Sequence, residues 1–387
     1  MRRQSFLLTI LLTLVLIMPT AQAAAGVELS PFATDAGLTM TQVADQLAFP
    51  MGMAVLPDDS LLVATSPSAT GNFYDSTGTL LRLADTDGDG SLDGQTILAE
   101  NLPGSLVAVA RSGEIVIATS AAYGNEQIMF FRRGSHWSGP LTLLTRITLS
   151  FKGAMHQSYG LAVRPDPADA TAFDLFFNIG AAGNDIAGPS VQAGGAITDL
   201  LTSASIYMIR ISDSGSALTF SPAELIATGL RNGTTIAIQP STGDLWIGEN
   251  GIDGMDIPTI SFSADELDIV RSADIGQKVI DFGFPDHYID YATGTPVGDQ
   301  TQFVAFLPID GSHSEGVAGI TFVPASFPQA VAGGVLAGFH GQFDETGIAN
   351  DENPLLWVDA KTGDRQVIVT NDSTAVGHLD SMTAGKD

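Results

Sequence analysis

The stretch that decides the fold is GLAVRPDPADATAFDLFFNIG, residues 160–180. Its first part alternates apolar and other residues, a turn rich in proline and aspartate follows, and a strongly apolar run ends at the glycine. Alternation with a period of two is typical of β-strands, and proline and aspartate are typical of turns. The stretch therefore predicts a two-stranded hairpin.

Similar hairpin patterns recur along the chain, at residues 51–65, 105–119, 234–251 and 318–341. Further alternating segments that predict a next strand lie at residues 80–85, 128–133, 205–211, 266–272 and 354–359. Repeated small antiparallel sheets in a chain with 42 glycines are typical of an all-β protein with a β-propeller fold. A β-sandwich is the alternative, but it does not account for the regular repetition.

The number of repeats predicts a six-bladed propeller with an incomplete last blade. Five blades are complete, and residues 366–387 are expected to start a sixth. Either the segment from Val27 to Leu47 supplies the missing strands, or the chain stops before the blade is finished. We expect one propeller domain over residues 24–387.

The amino terminus resembles a secretory signal peptide over residues 1–23. Arg2 and Arg3 precede an uncharged apolar run, and the small-residue site Ala21-Gln22-Ala23 follows it. No later stretch approaches the roughly 20 apolar residues that a membrane-spanning helix needs. We therefore expect an exported protein, periplasmic or extracellular, without a membrane span.

The amino-acid composition limits the kinds of partner that this protein can bind. The chain has no cysteine, so an exported fold of this size must be held by its core without disulfides, and metal ions are an optional further support. It has 43 acidic and 16 basic residues and a formal net charge of -27. Such a surface repels nucleic acid and anionic membranes, whereas it attracts calcium.

Several motifs in fixed order resemble the soluble quinoprotein glucose/sorbosone dehydrogenase family. They are HQSYGLAVRPD (156–166), DLFFNIGAAGND (174–185), IATGLRNGTTIAIQPSTGDLWIGENG (226–251), DELDIV (265–270) and DFGFPD (281–286). The resemblance spans roughly residues 48–385. It implies a six-bladed propeller that oxidises an aldose or related sugar alcohol by hydride transfer to pyrroloquinoline quinone (PQQ), with calcium and an external electron acceptor.

The resemblance also implies roles for individual residues. It implies that His156 is the general base and that Gln157, the next residue of the same motif, contacts the cofactor. Arg231 and Asn232 match the pair that contacts the quinone carbonyls. The remaining matches are to the calcium-binding region of the family. In the loop from Glu249 to Ile252, Gly251 and Ile252 match the positions that bind the metal. Asp265 and Glu266 match two further metal-binding positions.

These residue types suit that chemistry on independent grounds. A histidine is suited to accept a proton near neutral pH, because its ordinary pKa lies there. A guanidinium and an amide stabilise negative charge that develops on quinone oxygens. Each residue also has a plainer interpretation: His156 and the Arg231-Asn232 pair as turn residues, Asp265 and Glu266 as solvated charges at a sheet edge.

The basic residues of the family pattern are partly missing. The family's late lysine falls at His340, which we therefore assign to the cofactor site, and its two arginines of the last blade have no counterpart in GHLDSM, residues 377–382. PQQ carries three carboxylates, and Arg231 would be the main basic residue left in this chain to pair with them.

A second calcium motif lies outside this pattern. In DTDGDGSLDG the residues Asp85, Asp87, Asp89 and Asp93 fall at positions 1, 3, 5 and 9 of a calcium loop. Thr96 replaces the bidentate glutamate of position 12, so the loop is not a complete EF-hand. It is either a calcium-stabilised connection between strands or an acidic turn that binds nothing.

Two other functions remain open at this stage. A calcium-dependent propeller hydrolase, such as a lactonase, would need acidic and asparagine side chains in the central channel, with Asn178, Asn232 and Asn250 as candidates. A non-catalytic binding propeller would explain the missing basic residues.

Overall fold

The structure is a computed structural model that describes residues 27–121, 126–150, 156, 160–252, 262–299, 301–307, 316–340, 355–371 and 379–385. Within these residues the protein is all-β apart from a short helix, α1 (Pro31–Asp35), and a 3₁₀ turn (Phe73–Asp75). The expected signal peptide lies outside the described residues. No described helix is both long and apolar enough to cross a membrane.

Each repeated hairpin forms the two inner strands of a blade. These hairpins are β2 (Gly52–Val55) with β3 (Leu61–Thr65), β6 (Ser105–Ser112) with β7 (Ile115–Ala121), β10 (Leu161–Pro165) with β11 (Ala172–Ile179), β17 (Gly233–Ile238) with β18 (Leu245–Glu249), and β24 (Val317–Phe322) with β25 (Val335–Phe339). The propeller arrangement predicted from the repeats is thus confirmed.

The next strands outward complete the blades in antiparallel order. They are β4 (Gly78–Ala84) and β5 (Gly94–Leu102) in the first blade, β8 (Glu126–Arg132) and β9 (Thr142–Ser150) in the second, β14 (Ser205–Asp213) and β16 (Glu224–Thr228) in the third, β19 (Asp265–Val270) and β23 (Val304–Phe306) in the fourth, and β26 (Leu355–Val358) and β27 (Arg365–Asn371) in the fifth.

Several blades gain strands from elsewhere in the chain. The strands β12 (Val191–Gly195) and β13 (Leu200–Leu201), from the connection that leaves β11, extend the second blade. The third blade gains β15 (Leu218–Phe220) against β14 and β20 (Ile280–Asp281) parallel to β16. A separate hairpin, β21 (Tyr288–Ile289) and β22 (Pro296–Val297), lies between β20 and β23 in the chain.

The expected sixth blade is not confirmed, because the described residues form five. Residues 366–371 do not start a new blade, since they belong to β27, the fourth strand of the fifth blade. The strand β1 (Val27–Leu29) pairs outside β27, so the amino-terminal segment joins the fifth blade and closes no sixth one.

Apolar side chains fill the space between neighbouring blades. Separate buried clusters join the first blade to the second, the second to the third, the third to the fourth, and the fourth to the fifth. Trp246 lies in the last of these, fully buried, with Phe303 and Phe322 edge-on to its ring. This packing orients the blades so that the starts of the inner strands lie on one face of the propeller, called here the site face.

Candidate functional site

His156 lies on the site face, shortly before the inner strand of the third blade. Its backbone N–H donates to the carbonyl of Ala181 at 3.2 Å, and its imidazole Nδ1 lies 3.2 Å from the same oxygen. Gly180 is required here, because a Cβ on it would lie 2.7 Å from the His156 carbonyl oxygen. The bond at Nδ1 places the proton on that nitrogen and leaves Nε2 as the basic atom.

Burial governs the charge of His156. The residue is 8% exposed, and this loss of solvent lowers the pKa of His156 to about 3, with the nearby charge of Arg231 acting in the same direction. The hydrogen bond to Ala181 opposes the shift. The imidazole is therefore neutral near pH 7, so Nε2 carries no proton, but the lowered pKa of His156 makes it a weaker base than an ordinary histidine.

Arg231 connects the third and fourth blades beside His156. Its guanidinium donates to the side-chain oxygen of Asn184 at 2.7 Å and to the carbonyl oxygens of Asn184 and Asn250 at 3.2 and 3.3 Å. Its backbone carbonyl accepts from Ala181 N–H at 2.8 Å. The same alanine thus holds both His156 and Arg231, so the structure brings these two predicted residues together.

Asn232 and the following loop belong to the same region. The Asn232 carbonyl accepts from Asn250 N–H at 3.0 Å, while its buried side-chain oxygen accepts no hydrogen bond from the described residues. Asn178 is also buried, but its side-chain oxygen accepts from Gly160 N–H at 2.7 Å and so fixes the start of β10. Because this contact uses the Asn178 side-chain oxygen to hold the backbone, it argues against Asn178 as a ligand of the metal that a propeller hydrolase would need.

Asp265 connects two blades. One carboxylate oxygen accepts from Gly251 N–H at 2.9 Å, and the other accepts from Val317 N–H at 3.2 Å in the fifth blade. Gly251 must approach closely, because a Cβ there would lie 2.4 Å from the carbonyl oxygen of Ser263. Asp265, which we predicted to bind metal, is therefore turned toward backbone N–H groups.

Glu266 joins a cluster of three acids, named here the carboxylate cluster: Glu249, Glu266 and Asp268. Glu249 pairs directly with Glu266 across β18 and β19, and Asp268 follows on the same face of β19. One carboxylate oxygen from each lies within 4.8 Å of the others. Hard oxygen ligands at this spacing suit a divalent cation such as calcium.

The cluster is electrostatically costly without a cation. Burial, with the neighbouring negative charges, raises the pKa of Glu249 and of Glu266 well above the usual glutamate range. Burial likewise raises the pKa of Asp268 to about 7. The carboxyl groups therefore retain protons to unusually high pH, or share a cation that replaces them.

Asp268 gives the clearest sign of a missing ligand. It is fully buried, and neither of its carboxylate oxygens accepts from an N–H or hydroxyl group of the described residues; a proton held between Asp268 and Glu249 joins these two carboxyl groups instead. A cavity of about 20 Å³ beside the cluster has Glu249, Glu266 and Ser263 in its lining, and it is large enough for one water molecule or ion. In the sequence, Asp268 is distinguished only by its place two residues after Glu266. That spacing becomes informative once the pairing of Glu266 with Glu249 is known.

His340 lies at the end of β25, where the lysine of the resemblance was expected. Its backbone N–H donates to the Gly316 carbonyl at 2.7 Å, and its imidazole pairs with the carboxylate of Asp380. A positive charge on His340 would therefore be offset within the protein, so it does not reproduce a lysine's free charge. Gln157 lies outside the described residues.

The acidic loop lies on the opposite face of the first blade, between β4 and β5. Asp85, Asp87 and Asp89 each place an oxygen within 4.8 Å of the others. The Asp85 carboxylate accepts from Gly88 N–H and Gly90 N–H, and these bonds lower the pKa of Asp85. Asp93 is directed to Thr86 instead, so three of the four predicted ligands come together.

Comparisons with known proteins identify the fold. No family model and no curated protein sequence matches the chain. The iodide structure of Trichoderma reesei Carbohydrate-Active Enzymes Family AA12 is 16% identical, with a TM-score of 0.54, and the match covers 94% of this chain and 92% of that one. The PQQ-bound aldose sugar dehydrogenase of Streptomyces coelicolor is 16% identical, with a TM-score of 0.53 and coverages of 92% and 87%. At such identities these matches establish a shared propeller architecture.

The carboxylate cluster predicts how stability depends on pH and calcium. Because the pKa of Asp268 is raised to about 7, its native form keeps a proton that the unfolded chain releases near 3.8. The metal-free protein should therefore lose stability as pH rises toward and through 7, and calcium should restore it. Asp268→Asn should reduce both effects in thermal melting with calcium or chelator.

Glu100→Gln, which removes an exposed carboxylate from β5, is the matched control and should behave as the parent. If Asp268→Asn shows the parent's full calcium response and pH dependence, the cluster does not bind calcium.

The acidic loop predicts a separate calcium effect. Asp87→Ala should lower the calcium-dependent gain in melting temperature, because a ligand that binds the native state stabilises it. The substitution should leave the response of the carboxylate cluster intact, so the effects of Asp87→Ala and Asp268→Asn should add. Identical melting curves for the parent and Asp87→Ala, with calcium and with chelator, would favour the turn that binds nothing.

Proposed function

We propose that this protein is a sugar oxidoreductase of the quinoprotein type, with His156 as its general base. The observation that carries the proposal is the convergence of His156 and Arg231 on Ala181, on the face where the inner strands begin. The shared architecture with an aldose sugar dehydrogenase is consistent with it. The substrate would be an aldose or related sugar alcohol, and an external acceptor would reoxidise the cofactor.

The described residues offer some of the groups that a quinone would need, provided that a divalent cation is bound as well. The Arg231 guanidinium and the amide nitrogen of Asn232 are donors suited to quinone oxygens. The orphaned Asn232 side-chain oxygen is an acceptor, so it suits a cation or a donor group of the ligand instead. The carboxylate cluster would repel the three carboxylates of PQQ unless its charge were neutralised. Calcium at Glu249, Glu266 and Asp268 would remove that repulsion.

His156 would act as the proton acceptor. Its neutral imidazole is oriented by the Ala181 carbonyl at Nδ1, so Nε2 would be the atom that meets a sugar hydroxyl. As that hydroxyl loses its proton to Nε2, the carbon that carries it loses hydride, and the sugar becomes a carbonyl compound. Bound PQQ would supply the two-electron hydride acceptor. Arg231, held by Asn184 and Asn250, would keep positive charge beside the developing negative charge.

The role of His156 as the general base is tested by measuring cofactor binding and turnover separately. Metal-free protein titrated with PQQ and calcium should give a saturable change in cofactor absorption. His156→Ala should retain that change but lose turnover of an aldose by roughly 10²- to 10⁴-fold, because a positioned proton acceptor is removed. The exposed His136→Ala is the control and should retain both.

The pH profile gives a second test of the same residue. With a pKa of about 3, His156 is already neutral at pH 5, so it should add no acidic limb near 6.5 to the turnover of the parent. No saturable absorption change would reject the quinoprotein assignment. Full turnover by His156→Ala would reject His156 as the base.

A further inference from the structure

A short turn covers the guanidinium of Arg231. We name residues 182–187 the Asn184 turn. Arg231 is only 3% exposed, although its proposed role needs the guanidinium to meet ligand oxygens. Nε and Nη2 donate to the carbonyl and side-chain oxygens of Asn184, and Nη1 donates to the Asn250 carbonyl. An incoming anion therefore meets a guanidinium whose three nitrogens already have acceptors within the protein.

The acceptor at Asn250 belongs to the framework of the fourth blade. Asn250 directly follows β18, and its N–H donates to the Asn232 carbonyl at 3.0 Å. The next residue, Gly251, is bound through its N–H to Asp265 at 2.9 Å. These bonds fix the Asn250 carbonyl, so Arg231 keeps this contact when other groups around it change.

The Asn184 turn is held more loosely. It lies outside the strands, between β11 and β12, and two backbone bonds close it. Ala182 N–H donates to the Ala187 carbonyl at 2.9 Å, and Gly183 N–H donates to the Ile186 carbonyl at 3.1 Å. Ile186 is 60% exposed at the tip. A connection with few backbone bonds and an exposed tip opens at a lower free energy than the strands beside it.

The two ends of the turn allow it to move without disturbing the proposed base. Ala181, which precedes the turn, keeps its own bonds to His156 and Arg231. Gly188 follows the turn with a φ of 98°, and a Cβ on Gly188 would lie 2.2 Å from the Cβ of Ala182. The closed turn therefore requires glycine at this position.

The chemistry of the contact favours exchange with an anion. Both oxygens of Asn184 are neutral acceptors, whereas a carboxylate binds a guanidinium through stronger, charge-assisted hydrogen bonds. An anionic ligand therefore has a higher affinity for the protein with the turn open than for the protein with the turn closed. Such a difference in affinity is what shifts a conformational equilibrium.

We propose that Asn184 is a latch, which occupies the Arg231 guanidinium in the ligand-free protein and is displaced by an anionic ligand while Asn250 retains its contact. The latch rests on the proposed function for the identity of that ligand, PQQ, and it adds the step that opens the site. A neutral ligand gains no charge-assisted bond to Arg231, so it leaves the latch closed.

The closed latch is tested without any cofactor. The measurement is the rate at which phenylglyoxal modifies Arg231, followed by mass spectrometry. Asn184→Ala should raise this rate by about tenfold or more, because the minor state of a two-state equilibrium is commonly populated at about a tenth or less. Asn184→Asp should lower it, because a carboxylate pairs with the guanidinium. Arg271, with a side chain 57% exposed, should react at the same rate in the parent and in each variant.

Two further variants separate the latch from a general loss of folding. Gly188→Ala disfavours the closed turn without changing a residue that contacts Arg231, so it should also raise the modification rate. Ile186→Ala trims an exposed side chain on the same turn and should match the parent. Unchanged modification of Arg231 in both Asn184→Ala and Gly188→Ala would overturn the latch.

Opening by the ligand is measured through hydrogen exchange of backbone amides. PQQ with calcium should accelerate exchange at Ala182 and Gly183, whose bonds close the turn, and leave the Ala181 amide protected by Arg231. Asn184→Ala should also tighten PQQ binding, because a competing acceptor is removed, and Asn184→Asp should weaken it. Slower exchange at all three amides on binding would show that Asn184 only positions Arg231, and it would overturn the latch.

These outcomes are distinct from failure of the proposed function. Faster modification of Arg231 in Asn184→Ala, in a protein that shows no saturable absorption change with PQQ, would support the latch and reject the quinoprotein assignment. Turnover of an aldose with PQQ, combined with slower exchange at Ala182 and Gly183, would support the assignment and reject the latch.

Discussion

The main chain of Ala181 is the contact on which the candidate site depends. Its carbonyl binds both the backbone and the imidazole of His156, and its N–H donates to the carbonyl of Arg231. These groups come from separate segments of the chain, and main-chain hydrogen bonds leave them little freedom to move apart. The position of the base is therefore a property of the junction between the third and fourth blades, which also determines its burial and its neutral charge.

The same junction concentrates negative charge. The Glu249 carboxylate accepts a hydrogen bond from the backbone N–H of Arg231 at 2.5 Å. Opposite it lie two more carboxyl groups, those of the fully buried Asp268 and of Glu266, which is partly buried beside the cavity. A buried arrangement of this kind is sustained by protons or by a cation, and the choice between them links the stability of the fold to the state of the site.

Strands that pair with a neighbouring blade connect the blades of this protein, which has no cysteine and therefore no disulfides. The second blade receives β12 and β13 from the connection that follows β11, and the third receives β20 from the connection that follows β19. The Arg132 guanidinium also bonds Asp213 across the second and third blades at 3.0 Å. The segment that donates β20 continues into Phe282 and Tyr288, so a structural tie between blades also carries part of the cavity wall.

The sequence by itself determined the all-β propeller and the inner hairpins, because period-two alternation and turn residues are local properties. It also placed His156 and Arg231 at the starts of inner strands, where a propeller brings distant residues together. The blade count depended on tertiary structure, because residues 366–371 have the same pattern whether they start a blade or finish one. Side-chain partners also depended on it: Asp265 and Glu266 are adjacent in sequence, yet strand alternation turns one to backbone N–H groups and the other to the carboxylate cluster. Asp268 acquired meaning only from the strand register, which a linear pattern does not contain.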